Sequence, residues 1–318
     1  MFVRILPIAC FAIYAALILI AFPQFAFAAT TDTPEARAEI EKYGNTYSGT
    51  QIPELRAIYK KHLTEAGNET SDVVRDLSYG PHERHLLDVL QPKNPTNAAM
   101  PILVFIHGGA FVRGNKSDGV LFDNVLNYFT SRGVLGINAT YRLAPEYSWP
   151  AGADDIRGVV RWIRDNARKY GGDPDRIFLM GHSAGAAHVA AYTFNEALQL
   201  DDGVDGVVGS ILMSGTYEKR EGEFTHPYYG DDASLWDDRF PINHIEGRQI
   251  PLFVINAEYD RTSMAKESIA LIQAICDRDD RCPQHKQIPG HNHYSMMYHI
   301  NTADDSIAGD IYEFIRRY

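Results

Sequence analysis

The stretch "LMGHSAGAA" (179–187) sets an apolar run, then Gly181, His182, Ser183, Ala184 and Gly185, against a helix-forming run. A serine on a sharp strand-to-helix turn sits in a strained backbone conformation, and side chains two positions to either side collide unless they are absent. Glycine has no Cβ and tolerates that approach. The pattern G-x-S-x-G therefore projects the Ser183 hydroxyl out of the turn, above the N-terminus of the next helix. Glycine and serine are both common residues, so the pattern gains meaning only from its surroundings.

Those surroundings alternate strand and helix. "DVVRDLSYG" (72–80) and "RHLLDVLQP" (84–92) read as two strands around the turn Gly80-Pro81, and "PILVFIH" (101–107) as a strand buried on both faces. A helix near 119–132, the strand "GVLGINATY" and a long helix from Pro150 to Gly171-Gly172 follow. Beyond them come strand "RIFLMG", helix 184–198, strand "GVVGSILMSG", an irregular stretch 215–247, strand "IPLFVIN", helix 263–277, a strand near 284–288 and a final helix 304–317. Such alternation predicts an α/β fold with a mostly parallel sheet and helices on both faces. Residues 34–67 read as amphipathic helix broken at Gly44–Thr50, a segment placed to pack over one end of the sheet.

In parallel sheets, sites form beyond the carboxyl ends of strands. Three further stretches meet that rule. "FIHGGAFVRG" (105–114) follows the strand at 101–107, and its glycine turn can aim the amides of Gly109 and Ala110, with that of Ala184, at a developing oxyanion. "VINAEYDRTS" (254–263) puts Asp260 just past a strand end, where a carboxylate can orient an imidazole; Glu258 is the rival, closer to the strand. "IPGHNHYSMMYH" (288–299) offers His291 and His293 as bases, and His293, further into the loop and ahead of an aromatic ring, is preferred. His188 lies inside a helix and His107 in its own loop, both readable as structural groups. The order Ser183, Asp260, His293 is that of serine hydrolases built on open α/β sheets.

The chain is thereby similar to the α/β-hydrolase superfamily, near the hormone-sensitive-lipase-like and feruloyl-esterase-like (BD-FAE) carboxylesterases. The resemblance rests on "HGGAF" (107–111), "YRLAPEYSWPAGADD" (141–155), "GGDPDRIFLMGHSAGA" (171–186), "GHNHYSM" (290–296) and the opening "LSYGPHERHLLDVLQP" (77–92). It covers roughly residues 73–318, read as the catalytic domain, with 29–72 a helical segment and possible cap. It implies a serine carboxylic-ester hydrolase acting through an acyl-enzyme on small acyl or aryl esters, with no metal and no organic cofactor. The loop has His-Gly-Gly-Ala rather than three glycines, and His182 replaces the acidic residue usual in the lipase-like branch. Both departures lean toward feruloyl esterases and kynurenine formamidase-like amide hydrolases. A non-catalytic binding protein on the same fold is the third reading, and it expects a missing triad member. Tyr217, Phe224, Tyr228, Tyr229 and Trp236 fall where a lid or acyl pocket would be inserted.

The chain has 318 residues and a formal net charge of −11. An acidic chain without a basic cluster argues against nucleic acid and anionic membrane surfaces. Its start, with Arg4, an uncharged run from Ile5 to Phe22 and then Ala26-Phe27-Ala28, reads as a secretory signal cleaved after Ala28; an uncleaved anchor is the competing reading. Export suits a local disulfide between Cys276 and Cys282 in "AICDRDDRCPQH" (274–285). A zinc site is disfavoured, because two cysteines six apart lack a second ligand pair and His285 completes them poorly.

Overall fold

The computed structural model describes residues 34–46, 50–63, 71–95, 99–117, 121–200, 204–219 and 226–318. The segment read as a secretory signal lies outside these, as does Phe224. Eight strands form one sheet: β1 (Ser71–Ser78), β2 (Leu86–Pro92), β3 (Met100–Ile106), β4 (Leu135–Ala139), β5 (Gly172–His182), β6 (Val207–Met213), β7 (Leu252–Tyr259) and β8 (Gln284–Asn292). Their order is β1-β2-β4-β3-β5-β6-β7-β8. β2 runs antiparallel to both of its neighbours, and from β4 through to β8 every pairing is parallel. The mostly parallel α/β layering expected from the sequence is therefore present.

Side chains alternate across the central strands and feed two cores. Leu103, Phe105, Phe178, Met180, Ile211 and Phe253 face one side. There they meet α3 (Leu121–Thr130) and α8 (Ala308–Arg317). Ile102, Val104, Ile177, Leu179 and Leu212 face the other. That side is covered by α4 (Ala151–Asn166), α5 (Ala184–Phe194) and α6 (Thr262–Asp279). Strands buried on both faces need continuous apolar runs, which is why "PILVFIH" carries no alternation.

The N-terminal segment forms α1 (Pro34–Tyr43) and α2 (Gln51–Leu63). Ala36, Ile40, Leu55 and Tyr59 are fully buried and join the core that holds α3 and α8. The pair packs with α1 against β8, the last strand of the sheet, and so sits at one end of the sheet as expected.

Three boundaries differ from expectation. The helix expected over 184–198 stops at Phe194, because Asn195 turns extended and its side chain accepts from the Ala197 amide, starting a separate 3₁₀ turn. The strand expected near 284–288 runs on to Asn292. The final helix starts at Ala308, after a single turn, α7 (Ser295–Tyr298). Cys276 and Cys282, at the end of α6 and just before β8, stand sulfur to sulfur at 2.08 Å.

Packing under a long loop is the other use open to the rings of 215–247, and the described ones take it. Tyr217, Tyr228, Tyr229 and Trp236 are each at most 2 % exposed and do not line the cleft described below. Ring stacking explains it: Phe111 lies flat on Tyr228 at 4.8 Å, and Tyr229 meets Phe240 at 4.2 Å. The rings bury one another beneath a long connection instead of facing a substrate.

His188 of α5 is edge-on to Tyr141, Tyr228 and Phe111 in that packing. Burial pushes its pKa down to about 3, and burial pushes that of His107 down to about 4. An unfolded histidine titrates near 6.5, so between there and pH 4 the unfolded chain binds protons that the folded chain refuses. Stability then falls as pH drops, by up to about 1.4 kcal/mol per pH unit for each group. His188→Phe removes one such contribution. Urea midpoints measured from pH 6.5 to 4.5 should fall less steeply in that variant; an unchanged slope would show that His188 titrates normally.

Candidate active site

Five strand ends open on one cleft. β3 and β5 are adjacent, with Ile106 opposite Gly181, so the loop after β3 stands beside the turn after β5. β6 lies next, with Met213 opposite His182, and the Ser183 amide donates to the Met213 carbonyl at 2.9 Å. β7 and β8 complete the row, Tyr259 opposite Asn292. The residue that follows each of β5, β7 and β8 is Ser183, Asp260 and His293 respectively.

The turn at Ser183 has φ 56° and ψ −123°, outside the range an ordinary side chain prefers. Its glycines are there for space. A Cβ on Gly181 would stand 2.4 Å from the Gly185 carbonyl oxygen, and one on Gly185 would stand 2.2 Å from that of Ile106. The start of α5 is therefore pressed against the end of β3, and only hydrogen fits at these positions.

The three side chains form a relay. Asp260 Oδ1 accepts from His293 Nδ1 at 3.0 Å, and Ser183 Oγ stands 2.9 Å from His293 Nε2. A ring nitrogen facing a carboxylate carries the proton, so Nε2 is the acceptor for the serine hydroxyl. Asp260 is 3 % exposed. Its other oxygen accepts from the Ala257 amide at 2.9 Å and from the Ser214 hydroxyl.

The rival residues point elsewhere. Glu258 accepts from the Gly290 amide at 2.7 Å and is exposed. His291 is fully buried; its Nε2 donates to Asp304 at 3.1 Å and its Nδ1 accepts from Ser295 Oγ at 3.1 Å. His291, His299 and Asp304 together have the composition of a metal-ligand set. His299 gives its Nδ1 proton to the Ser295 carbonyl and accepts at Nε2 from the Ser306 hydroxyl, so this cluster is closed by hydrogen bonds of its own. His107 donates to the Gly108 carbonyl at 2.7 Å and stacks on Tyr141, bracing its loop.

Gly109 has φ 141°, and a Cβ there would stand 1.9 Å from the Arg113 carbonyl oxygen. The loop folds back so that the Val112 and Arg113 amides donate to the Gly109 carbonyl. The amides of Gly109 and Ala110 give no hydrogen bond to the backbone of the described residues, and that of Ala184, first residue of α5, belongs to the turn whose amides have no partner within the helix. Gly109 and Ala110 line the cleft with Ser183 and His293.

The cleft holds about 400 Å³. Ile52 of α2, Phe122 of α3 and Met264 of α6 give it apolar walls, completed by Tyr294 and by Met297 and Tyr298 of α7.

Two contributors escaped the sequence reading. Ser214 follows β6 as the other site residues follow their strands, and that placement was the signal that could have singled it out. His182 donates its Nε2 proton to the His293 carbonyl at 2.8 Å and stacks near its ring. Burial, then the neighbouring His293, holds the pKa of His182 well below that of a free imidazole, so it stays neutral.

Residues 87–219 match the BD-FAE family model. Among curated proteins the chain is similar to the esterase LipQ of Mycobacterium tuberculosis, 28% identical over 238 residues, covering 69% of this chain and 56% of the relative. It is similar to a probable isoprenylcysteine alpha-carbonyl methylesterase, ICMEL1, of Arabidopsis thaliana, 37% identical over 131 residues, 41% of this chain and 26% of the relative. The chain thus spans about half the length of these relatives or less. The esterase of Pyrobaculum calidifontis superposes with a TM-score of 0.68 at 21% identity, covering 90% of this chain and 98% of that one. A truncated carbohydrate esterase from gut microbiota gives 0.67 at 19%, covering 79% and 98%. These superpositions speak for the fold.

Ser214→Ala takes one donor from Asp260 and leaves the Ala257 amide. A hydrogen bond to a charged group contributes about 1.5–3 kcal/mol. If Asp260 orients His293, the turnover of a nitrophenyl ester should fall about tenfold or more at an unchanged KM. A loss below twofold would show that the carboxylate is held without Ser214.

Proposed function

We propose that this chain, a member of the α/β-hydrolase superfamily in its BD-FAE-like branch, is a serine carboxylic-ester hydrolase working through Ser183, His293 and Asp260. The observation that carries this reading is the hydrogen-bonded line from Asp260 through His293 to Ser183, ending in a cleft beside the Gly109 and Ala110 amides. The relatives named esterases favour an ester bond over an amide.

Ser183 Oγ attacks the ester carbonyl carbon while its proton passes to His293 Nε2. The imidazolium so formed is stabilised by Asp260, which stays ionised and fixes the tautomer. Negative charge collects on the carbonyl oxygen, where the amides of Gly109, Ala110 and Ala184 receive it; one such donor lowers the barrier by about 3–4 kcal/mol. His293 then returns the proton to the departing alkoxide, leaving an acyl-serine. Water, deprotonated by the same nitrogen, attacks the acyl carbon, and collapse frees the acid and restores the serine. No step needs a metal or an organic cofactor. The substrate is a small ester, given about 400 Å³ of cleft, and neither nucleic acid nor a membrane enters the scheme.

Ser183→Ala and His293→Ala should each cost at least about 10³-fold in kcat on short-chain nitrophenyl esters, with the fold kept by circular dichroism. His291→Ala should cost stability before it costs rate. Retention of a tenth of the activity in the serine variant would end this assignment, and faster turnover of N-formyl amides than of esters would redirect it to amide hydrolysis.

We further propose that the protein is exported after cleavage at Ala28 and that Cys276 and Cys282 are oxidised in it. Protein from the exported fraction of the native host should begin at Ala29, and its non-reduced digest should join the two cysteine peptides. An intact Met1, or two free thiols, would overturn the corresponding half.

A further inference from the structure

Three guanidinium groups from separate parts of the chain line the cleft beside Ser183: Arg56 of α2, Arg113 from the loop that carries Gly109, and Arg261 directly after Asp260. Among the described residues no aspartate or glutamate lines it with them. Asp260 itself is buried behind the His293 ring.

Some arginines elsewhere in the molecule meet buried carboxylates. Arg75 pairs with Asp88 and Asp123, Arg142 with Asp155 and Arg248 with Asp205, all at 2.6–2.8 Å. Arg113 has no carboxylate at ion-pair distance among the described residues. On a chain of net charge −11, a cleft whose charged lining residues, among those described, are arginines focuses the field toward anions.

The cations also converge. Tyr294, next to His293, has its hydroxyl pKa raised by burial, and Arg261 and Arg113 are the two charges that work against that rise. Arg113, Arg261 and Tyr294 all line this one cleft. Arg56 donates to the Tyr298 hydroxyl at 3.3 Å, one helical turn further along the same wall. A guanidinium presents a planar fork of donors that matches a carboxylate.

We propose that the ester this site hydrolyses is anionic: a small ester whose acyl or alcohol part carries a carboxylate, gripped by Arg113 and Arg261 at the Tyr294 side of the cleft while its carbonyl faces Ser183. The proposal rests on the serine-esterase reading. Ile52, Phe122 and Met264 enclose the apolar body between the charge and the scissile bond.

Matched pairs of esters test it. One pair carries the charge on the acid: mono-4-nitrophenyl glutarate against its methyl-capped diester. The other carries it on the alcohol: 4-butyryloxybenzoate against its methyl ester. The readout is the ratio of kcat/KM, anionic over neutral, within each pair. For at least one pair the ratio should be about tenfold or more in the wild type, and the pair that shows it tells which side bears the charge. The ratio should shrink between about 50 and 500 mM salt, as screening requires. Arg113→Gln and Arg261→Gln should each lower it at least fivefold, and Arg113→Lys should restore part of it.

Ratios near one in both pairs, with the neutral esters turned over in a Ser183-dependent way, would overturn the anionic substrate and leave the esterase reading intact. A high ratio that survives both Arg→Gln changes would overturn the assignment to these residues. Hydrolysis of neither pair, or hydrolysis that persists in Ser183→Ala, would bring down the esterase reading and this proposal together.

Discussion

The close approach of α5 to the end of β3 sets the rest of the site. At Gly185 the helix backbone comes so near the Ile106 carbonyl that a Cβ would stand 2.2 Å from it. That approach holds Ser183 at a positive φ and delivers its hydroxyl above the sheet, beside the loop of Gly109 and Ala110. Conformational strain of this kind costs about 1–3 kcal/mol and persists only where surrounding packing over-determines it. Here the determinants are a parallel β3–β5 pair and the bond from the Ser183 amide to Met213. The central strands are buried on both faces, so the turn has nowhere to relax.

Once Ser183 is placed, the remaining groups are aligned by sheet register. β6, β7 and β8 succeed one another in parallel, and each hands one residue to the same edge: Ser214, Asp260 and His293. Asp260 is then held from three directions, by His293, by the Ala257 amide and by Ser214. His182 works on the other side of the imidazole, through the His293 carbonyl. Each supporting contact comes from a residue adjoining a strand end, so rigidity of the sheet becomes rigidity of the relay.

Much of this was legible in the sequence because the signals were local. Glycines flanking Ser183 reported a close backbone approach, and apolar runs without alternation reported strands covered on both sides. Asp260 and His293 could be ranked against Glu258 and His291 by distance from a strand end, although β8 runs four residues further than the strand expected near 284–288, ending at Asn292. What could not be read is non-local. Whether Tyr228 faces a substrate or Phe111 depends on residues more than a hundred positions apart meeting in space. The same holds for Arg56, Arg113 and Arg261, which share no motif and become neighbours only through the fold. Ser214 is a different kind of omission: it obeyed the strand-end rule and carried no residue type that drew notice.

The wall that α2 contributes has a history-shaping consequence. Ile52 and Arg56 reach the cleft from a helix that precedes the first strand and contributes nothing to the hydrogen-bond ladder of the sheet. Their substitution alters what is admitted without passing through the register on which Ser183, Asp260 and His293 depend. Selection can therefore revise the wall of the cleft in one stretch of chain while the strand-end residues are inherited unchanged in another.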